Sequence, residues 1–183
     1  MRITRETPVD HGLHELLEHG SREFPAELEH LDLERQPGGL VNWHWHEDIQ
    51  FFLVKEGEVT FRVSRTPHRL QAGNGLFVNS SVLHMARSSG GRGRYYCLNI
   101  APALLCQFPG SVFERRYVAP YLGGLFYEGL ALSRETSWQR AMLERLASLI
   151  AGWATPDFGW EYRASAAFAQ LWLAVISHAE GAP

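Results

Sequence analysis

Between residues 28 and 100, apolar and polar positions alternate in short runs cut by Gly, Pro and Asn, the pattern of an antiparallel β sandwich or barrel. Ile49, Phe51, Phe52, Leu53 and Val54 form a dense apolar strand. Beyond the turn expected at Lys55, Glu56, Gly57 and Glu58, the apolar Val59, Phe61 and Val63 alternate with Thr60, Arg62 and Ser64. The two runs predict a hairpin with one buried face. A Gly- and Asn-rich turn at 71–75 precedes further short strands at 76–78, 84–86 and 95–100. So many short strands in so few residues fit a jelly-roll-like barrel better than an α/β fold.

After Pro102 the apolar period becomes helical. Thr136 and Gln139 have the spacing of a capping box ahead of Met142, Leu143, Leu146, Leu149, Ile150 and Trp153. Pro156 closes that helix, and Asp157 is placed to cap a second one with Ala164, Ala167, Phe168, Leu171, Trp172 and Val175 along one face. Such a hairpin either covers the barrel or meets a second subunit, in which case Leu171 and Val175 would make the contact. The polar first residues, broken by Pro8, Gly12, Gly20 and Pro25, read as an arm. The expected organisation is an arm at 1–27, a barrel at 28–101 and a helical region at 102–183, mainly β with C-terminal α.

Composition narrows the function classes. A chain of 183 residues has room for one domain and an appendage, hardly for two independent folds. Its net charge of −3 offers no basic field for nucleic acid, so DNA binding by these residues alone is not expected. Cys97 and Cys106 are expected to be buried, reduced thiols. The N-terminus lacks the basic-then-apolar pattern of a secretory signal, and the apolar run 171–176 is far too short to cross a bilayer. A soluble, cytoplasmic protein is expected.

His44 and His46 lie two apart in a predicted strand, so both imidazoles leave on one face while Trp43 and Trp45 leave on the other. If extended geometry persists to Gln50, its amide shares that face, and His84 arrives on a later strand aimed at the same centre. His44, His46, Gln50 and His84 have the layout of a divalent-metal site able to take Zn, Ni, Fe or Mn, although an amide in place of an acid leaves the cation's charge uncompensated. The other reading, preferred here, is a metal-free polar pocket in which these groups meet a small ligand directly. Phe52, Phe61 and Phe77 are candidates for its lining or for core. Glu47 is expected as a solvated charge and Asp48 as a rim group. His11, His14 and His19 are read as solvated parts of the arm, and His30, His68 and His178 as exposed or core-edge residues.

Gly38, His44, His46, Gln50 and Gly57 match the first motif of the cupin superfamily, with Gln50 where that motif has Glu. Gly73 and His84 match the spacing of the second, with Asn79 and Ser81 in place of its proline and second glycine. The wording of residues 41–47, 70–75, 77–84 and 111–120 is narrower and resembles the N-terminal domains of AraC-family transcription regulators. The resemblance implies a cupin barrel (double-stranded β-helix) followed by a helical hairpin, which binds a small-molecule effector without being an enzyme. It also implies an arm that folds over the pocket in the ligand-bound state, and a homodimer. DNA would be contacted only through a C-terminal helix-turn-helix domain, which is expected to be absent from this chain. The alternative carried with it is a stand-alone metal-dependent cupin enzyme, a dioxygenase or isomerase.

Overall fold

Two long strands organise the molecule. The computed structural model describes residues 7–123 and 127–179, apart from the side chains of 89–91. Residues 1–6 of the expected arm, and 124–126 and 180–183 of the expected helical region, lie outside the described residues. Strands β1 (Ala26–Asp32), β2 (Leu40–His44), β3 (Ile49–Val63), β4 (Thr66–Gln71), β5 (Gly75–Val78), β6 (His84–Ile100) and β7 (Gly129–Leu132) pair antiparallel throughout. β3 and β6 run beside each other for nearly their whole length.

One half of this pair is flanked by β1 on β6 and by β5 and then β7 on β3; the other half is flanked by β2 and β4. The result is two layers facing across a core of Leu31, Phe52, Val54, Val59, Phe61, Val63, Leu76 and Tyr95. This is the expected jelly-roll barrel.

The bend between layers falls where a turn was expected. Residues 55–58 do not reverse the chain: β3 continues through them, and its register against β6 slips between Val54 and Glu56 and again between Gly57 and Val59. An irregularity of this kind lets a strand pass from one sheet to the other. Gly57 sits there with φ +72, and a Cβ on it would stand 1.6 Å from the Arg92 carbonyl oxygen, so the Gly that signalled a hairpin serves a corner instead. The hairpin forms farther on, between β3 and β4, with Val63 opposite Thr66.

The density of apolar residues at the start of β3 follows from burial on both faces. Phe52 and Val54 enter the barrel, while Ile49 and Phe51 face outward under helices α2 (Ser137–Ala154) and α3 (Trp160–Ala179). Met142, Leu143, Leu146 and Leu149 of α2 and Ala164, Phe168, Leu171, Trp172 and Val175 of α3 pack against that face, joined by Phe77, Leu98 and Ile100. The hairpin therefore covers the barrel. Leu171 and Val175 are buried within their own chain and are not open to a second subunit, and Phe77 belongs to this outer core. A short helix, α1 (Ala103–Cys106), follows β6.

Thr136 does hold the N-cap position of α2, but without a side-chain hydrogen bond. Gln139 reaches past it to accept from the Ser133 amide at 2.9 Å, so the capping box does not form. Asp157 lies ahead of α3 with its carboxylate on Arg163. Cys97 is buried and Cys106 partly exposed, both as free thiols.

Candidate functional site

β2 ends at His44 and β6 begins at His84, and the two are cross-strand partners. Their rings stand 4.2 Å apart between centroids, and His46 completes the group at 5.9 Å from His44 and 5.4 Å from His84. Regular strand geometry stops at His44, then Glu47 and Asp48 bend the chain into β3. Gln50 nevertheless lines the same small cavity as His44, His84, Phe52 and Phe61.

The backbone sets the chemistry of two of these rings. His44 Nδ1 lies 2.7 Å from the Asn42 carbonyl oxygen and His84 Nδ1 2.8 Å from that of Val82. A carbonyl only accepts, so each Nδ1 carries the proton and each Nε2 turns a lone pair inward. An imidazole anchored through its second nitrogen in this way is the usual arrangement of a metal-ligating histidine. His84 Nε2 and both nitrogens of His46 are buried without a hydrogen-bond partner, as are Gln50 Oε1 and Asn99 Nδ2. The Gln50 amide donates to Asn99 Oδ1 at 2.8 Å and leans on Cys97 Sγ at 3.4 Å.

All three clustered imidazoles are held neutral. Burial lowers the pKa of His44 to about 4, against a weaker opposite pull from the Asn42 carbonyl. Burial, with the neighbouring histidines adding to it, pushes His46 and His84 well below the usual imidazole range. Burial also keeps the Cys97 thiol and the Tyr95 phenol protonated.

The arm supplies what the sequence did not disclose. Residues 8–16 double back on themselves, with Val9 bridging Glu15, and then pair with Trp45. The Glu15 amide donates to the Trp45 carbonyl at 2.9 Å, Trp45 returns a bond to Leu13, and its indole N–H donates to Gly12. The pairing turns Glu15 inward, where it is 7% exposed. Its Oε2 lies 4.0 Å from His44 Nε2, 3.9 Å from His46 Nε2 and 3.7 Å from His19 Nε2.

His19 is buried as well, not solvated as expected, and its Nδ1 meets Asp48 Oδ2 at 2.8 Å. Burial disfavours the charged form of His19, but the Asp48 hydrogen bond and the Glu15 charge outweigh it and raise its pKa. Asp48 is thus a partner of the arm. Glu47 stays at the surface, paired with His14 at 3.1 Å. Gly20, at φ +83, turns the chain from His19 toward β1; a Cβ there would lie 2.6 Å from the Ala26 backbone.

Glu15 and the buried place of His19 were not foreseen from the sequence, because only tertiary pairing brings the arm to the barrel. The one available signal was the density of Glu and His in residues 14–19.

The departures from the cupin spacing have local explanations. Ser81 takes the left-handed conformation, φ 59, that a glycine would supply. Asn79 donates its amide N–H to the Glu128 carbonyl, which a proline could not do, and its side chain holds the Tyr121 and Tyr127 carbonyls.

A divalent cation fits the residues present, because inward lone pairs without partners are what a cation satisfies. His44, His46 and His84 place ligand nitrogens within 4.8 Å of one another, and Glu15, His19 and His46 form a second such group sharing His46. A cation held there would offer a Lewis-acidic centre to an oxygen of a bound molecule.

The model of the family described as AraC-like ligand binding domain matches residues 33–171. The uncharacterized HTH-type transcriptional regulator YdeC of Bacillus subtilis (strain 168) is 30% identical over 142 residues, 77% of this chain and 48% of that protein. The chain spans about half the length of this curated relative. Among solved structures, a predicted oxalate decarboxylase from Thermotoga maritima aligns with 34% of this chain and 56% of its own, at 20% identity and a TM-score of 0.33. A cupin superfamily protein from Desulfitobacterium hafniense DCB-2 aligns over the same shares, 34% and 56%, at 16% identity and a TM-score of 0.33. Because the family model takes in strands β2 to β7, all of α2 and more than half of α3, this chain belongs to the AraC-like ligand binding domain family.

Proposed function

We propose that this chain is the sensory domain of an AraC-type transcription regulator. It binds a small-molecule effector at the barrel end closed by the arm, with His44, His46, Gln50, Phe52, Phe61 and His84 as binding residues. The observation that carries this reading is the convergence of unpartnered polar atoms, His46 Nδ1 and Nε2, His84 Nε2, Gln50 Oε1 and Asn99 Nδ2. Each buried group left unsatisfied costs about 1–3 kcal/mol, so a ligand that supplies the missing partners binds with that cost removed. Phe52 and Phe61 add apolar wall.

Size sets a condition on how the effector enters. The cavity that these residues line is about 20 Å³, room for little more than one water, whereas small-molecule sites run to roughly 300–1,000 Å³. An effector must displace the arm to enter, and a displaced arm is a signal. The domain works as a homodimer through surfaces other than the buried helix faces, and DNA is contacted by a helix-turn-helix part of the kind named in the Bacillus relative. We assign it no catalytic step: Asp48 is held by His19 Nδ1, and Glu15 is turned toward the same ring.

Thermal-shift screening of the tag-free domain against small acids, sugars and aromatic metabolites should yield stabilising compounds. Their affinity should fall at least tenfold in His84→Ala and stay unchanged in the surface variant Glu161→Ala. A compound held equally well by His84→Ala would displace the site from the cluster.

A further inference from the structure

We propose that the arm completes the histidine cluster as a divalent-cation site, with Glu15 supplying the carboxylate that Gln50 does not, so that cation binding and arm docking are a single event. The proposal rests on the reading of the cluster as the ligand site and adds its occupant and its coupling.

Glu15 Oε2 faces the Nε2 atoms of His44, His46 and His19 at 3.7–4.0 Å. These separations are too long for hydrogen bonds. The Glu15 carboxylate and the lone pairs of the neutral His44 and His46 rings have nothing to exchange directly. They become compatible when a cation stands between them, and two ligand atoms each about 2.0–2.1 Å from one ion lie roughly 3–4 Å apart. The backbone bonds already described orient His44 and His84 for that role, and His46 has no competing partner.

Charge balance favours the same arrangement. Three neutral imidazoles and Gln50 leave a buried divalent cation with its full charge, and one carboxylate halves it. Gln50 does not provide that charge, since its side chain is a neutral amide whose N–H is donated to Asn99. Geometry then ties the ligand to the arm. The residue paired with Glu15 and Leu13 is Trp45, which stands between His44 and His46, so any slip of the arm moves Glu15 away from both rings. His19 on Asp48 is the second fastening.

The test uses the tag-free, chelator-treated chain titrated calorimetrically with Zn²⁺, with hydrogen exchange of residues 8–16 followed with and without the ion. Wild type should bind one Zn²⁺, and the ion should slow arm exchange at least tenfold. Glu15→Gln should weaken Zn²⁺ binding tenfold or more and abolish the effect on the arm, whereas Glu18→Gln, an equal charge change on an exposed arm residue, should do neither. Adding Gln50→Glu to Glu15→Gln should restore Zn²⁺ affinity while the arm stays indifferent to the ion; exchange of β3 amides reports folding in every variant. Glu15→Gln binding Zn²⁺ within threefold of wild type, or an arm that exchanges equally fast with Zn²⁺, overturns the proposal and leaves the cluster as a ligand site. Wild type that binds no Zn²⁺ overturns it as well, without touching the effector screen, which stands or falls on small molecules.

Discussion

Neutral imidazoles packed lone pair to lone pair make the site sensitive to acid. An unfolded histidine takes its proton near pH 6.5, whereas His44 in the fold takes one only near pH 4, and burial lowers His46 and His84 further from the usual range. Between those values the unfolded chain binds more protons, so stability is complete above about pH 6.5 and is lost as pH falls toward 4. His44 alone is worth roughly 3 kcal/mol over that interval. His19, with its raised pKa, has the opposite sign: its contribution is present below 6.5 and lost as pH rises through its folded value. One group opposes three, and the net slope follows the cluster. For chelator-treated protein, the urea midpoint should drop between pH 7 and pH 5, and His84→Leu should flatten the drop. A midpoint that rises on acidification would mean the rings are already charged in the fold.

At the scale of elements, the decisive feature is the corner in β3. A strand that leaves one layer and joins the other must bend sharply without reversing, and the slips on either side of Gly57 do this. Gly57→Ala places a methyl against the Arg92 carbonyl on a backbone of positive φ. The expected loss is about 3 kcal/mol or more, read as a lower urea midpoint, because both the strain and the clash act on the two strands with which every described strand but β7 pairs. The helices illustrate a different lesson. The residues of the expected capping box are present, but Gln139 finds the Ser133 amide, a partner that exists only because β7 ends beside α2.

For the whole molecule, the helical hairpin is a lid on the outer face of the sheet. Leu171 is fully buried beneath it, whereas Leu173, two residues on, is 53% exposed. Leu171→Ala should cost about 3–5 kcal/mol in chemical denaturation and leave the oligomeric state of the folded fraction unchanged. Leu173→Ala should cost no more than about 0.5 kcal/mol. A Leu171→Ala protein of wild-type stability would mean that α3 is not held against the barrel as described. Among the described residues, no helix is long and apolar enough to cross a membrane.

Period and spacing alone determined the class of fold, the apolar faces of both helices and the grouping of His44, His46 and His84. Each of these is a local property: side-chain direction repeats every two residues in a strand and every 3.6 in a helix, and a barrel must turn its alternate faces inward. Which glycine makes a turn and which a corner was not local, because Gly57 answers to Arg92 on another strand. Nor was the choice between covering the barrel and meeting a second subunit, since an apolar stripe states only that it needs a cover. The arm was the least legible part. Glu15 and His19 carry nothing in their neighbourhood that marks them as buried, and their place beside the histidines comes from backbone pairing with Trp45, thirty residues away in the chain. The tertiary structure decided that pairing because the open edge beside His44 and His46 left backbone groups that required partners, and the arm provides them.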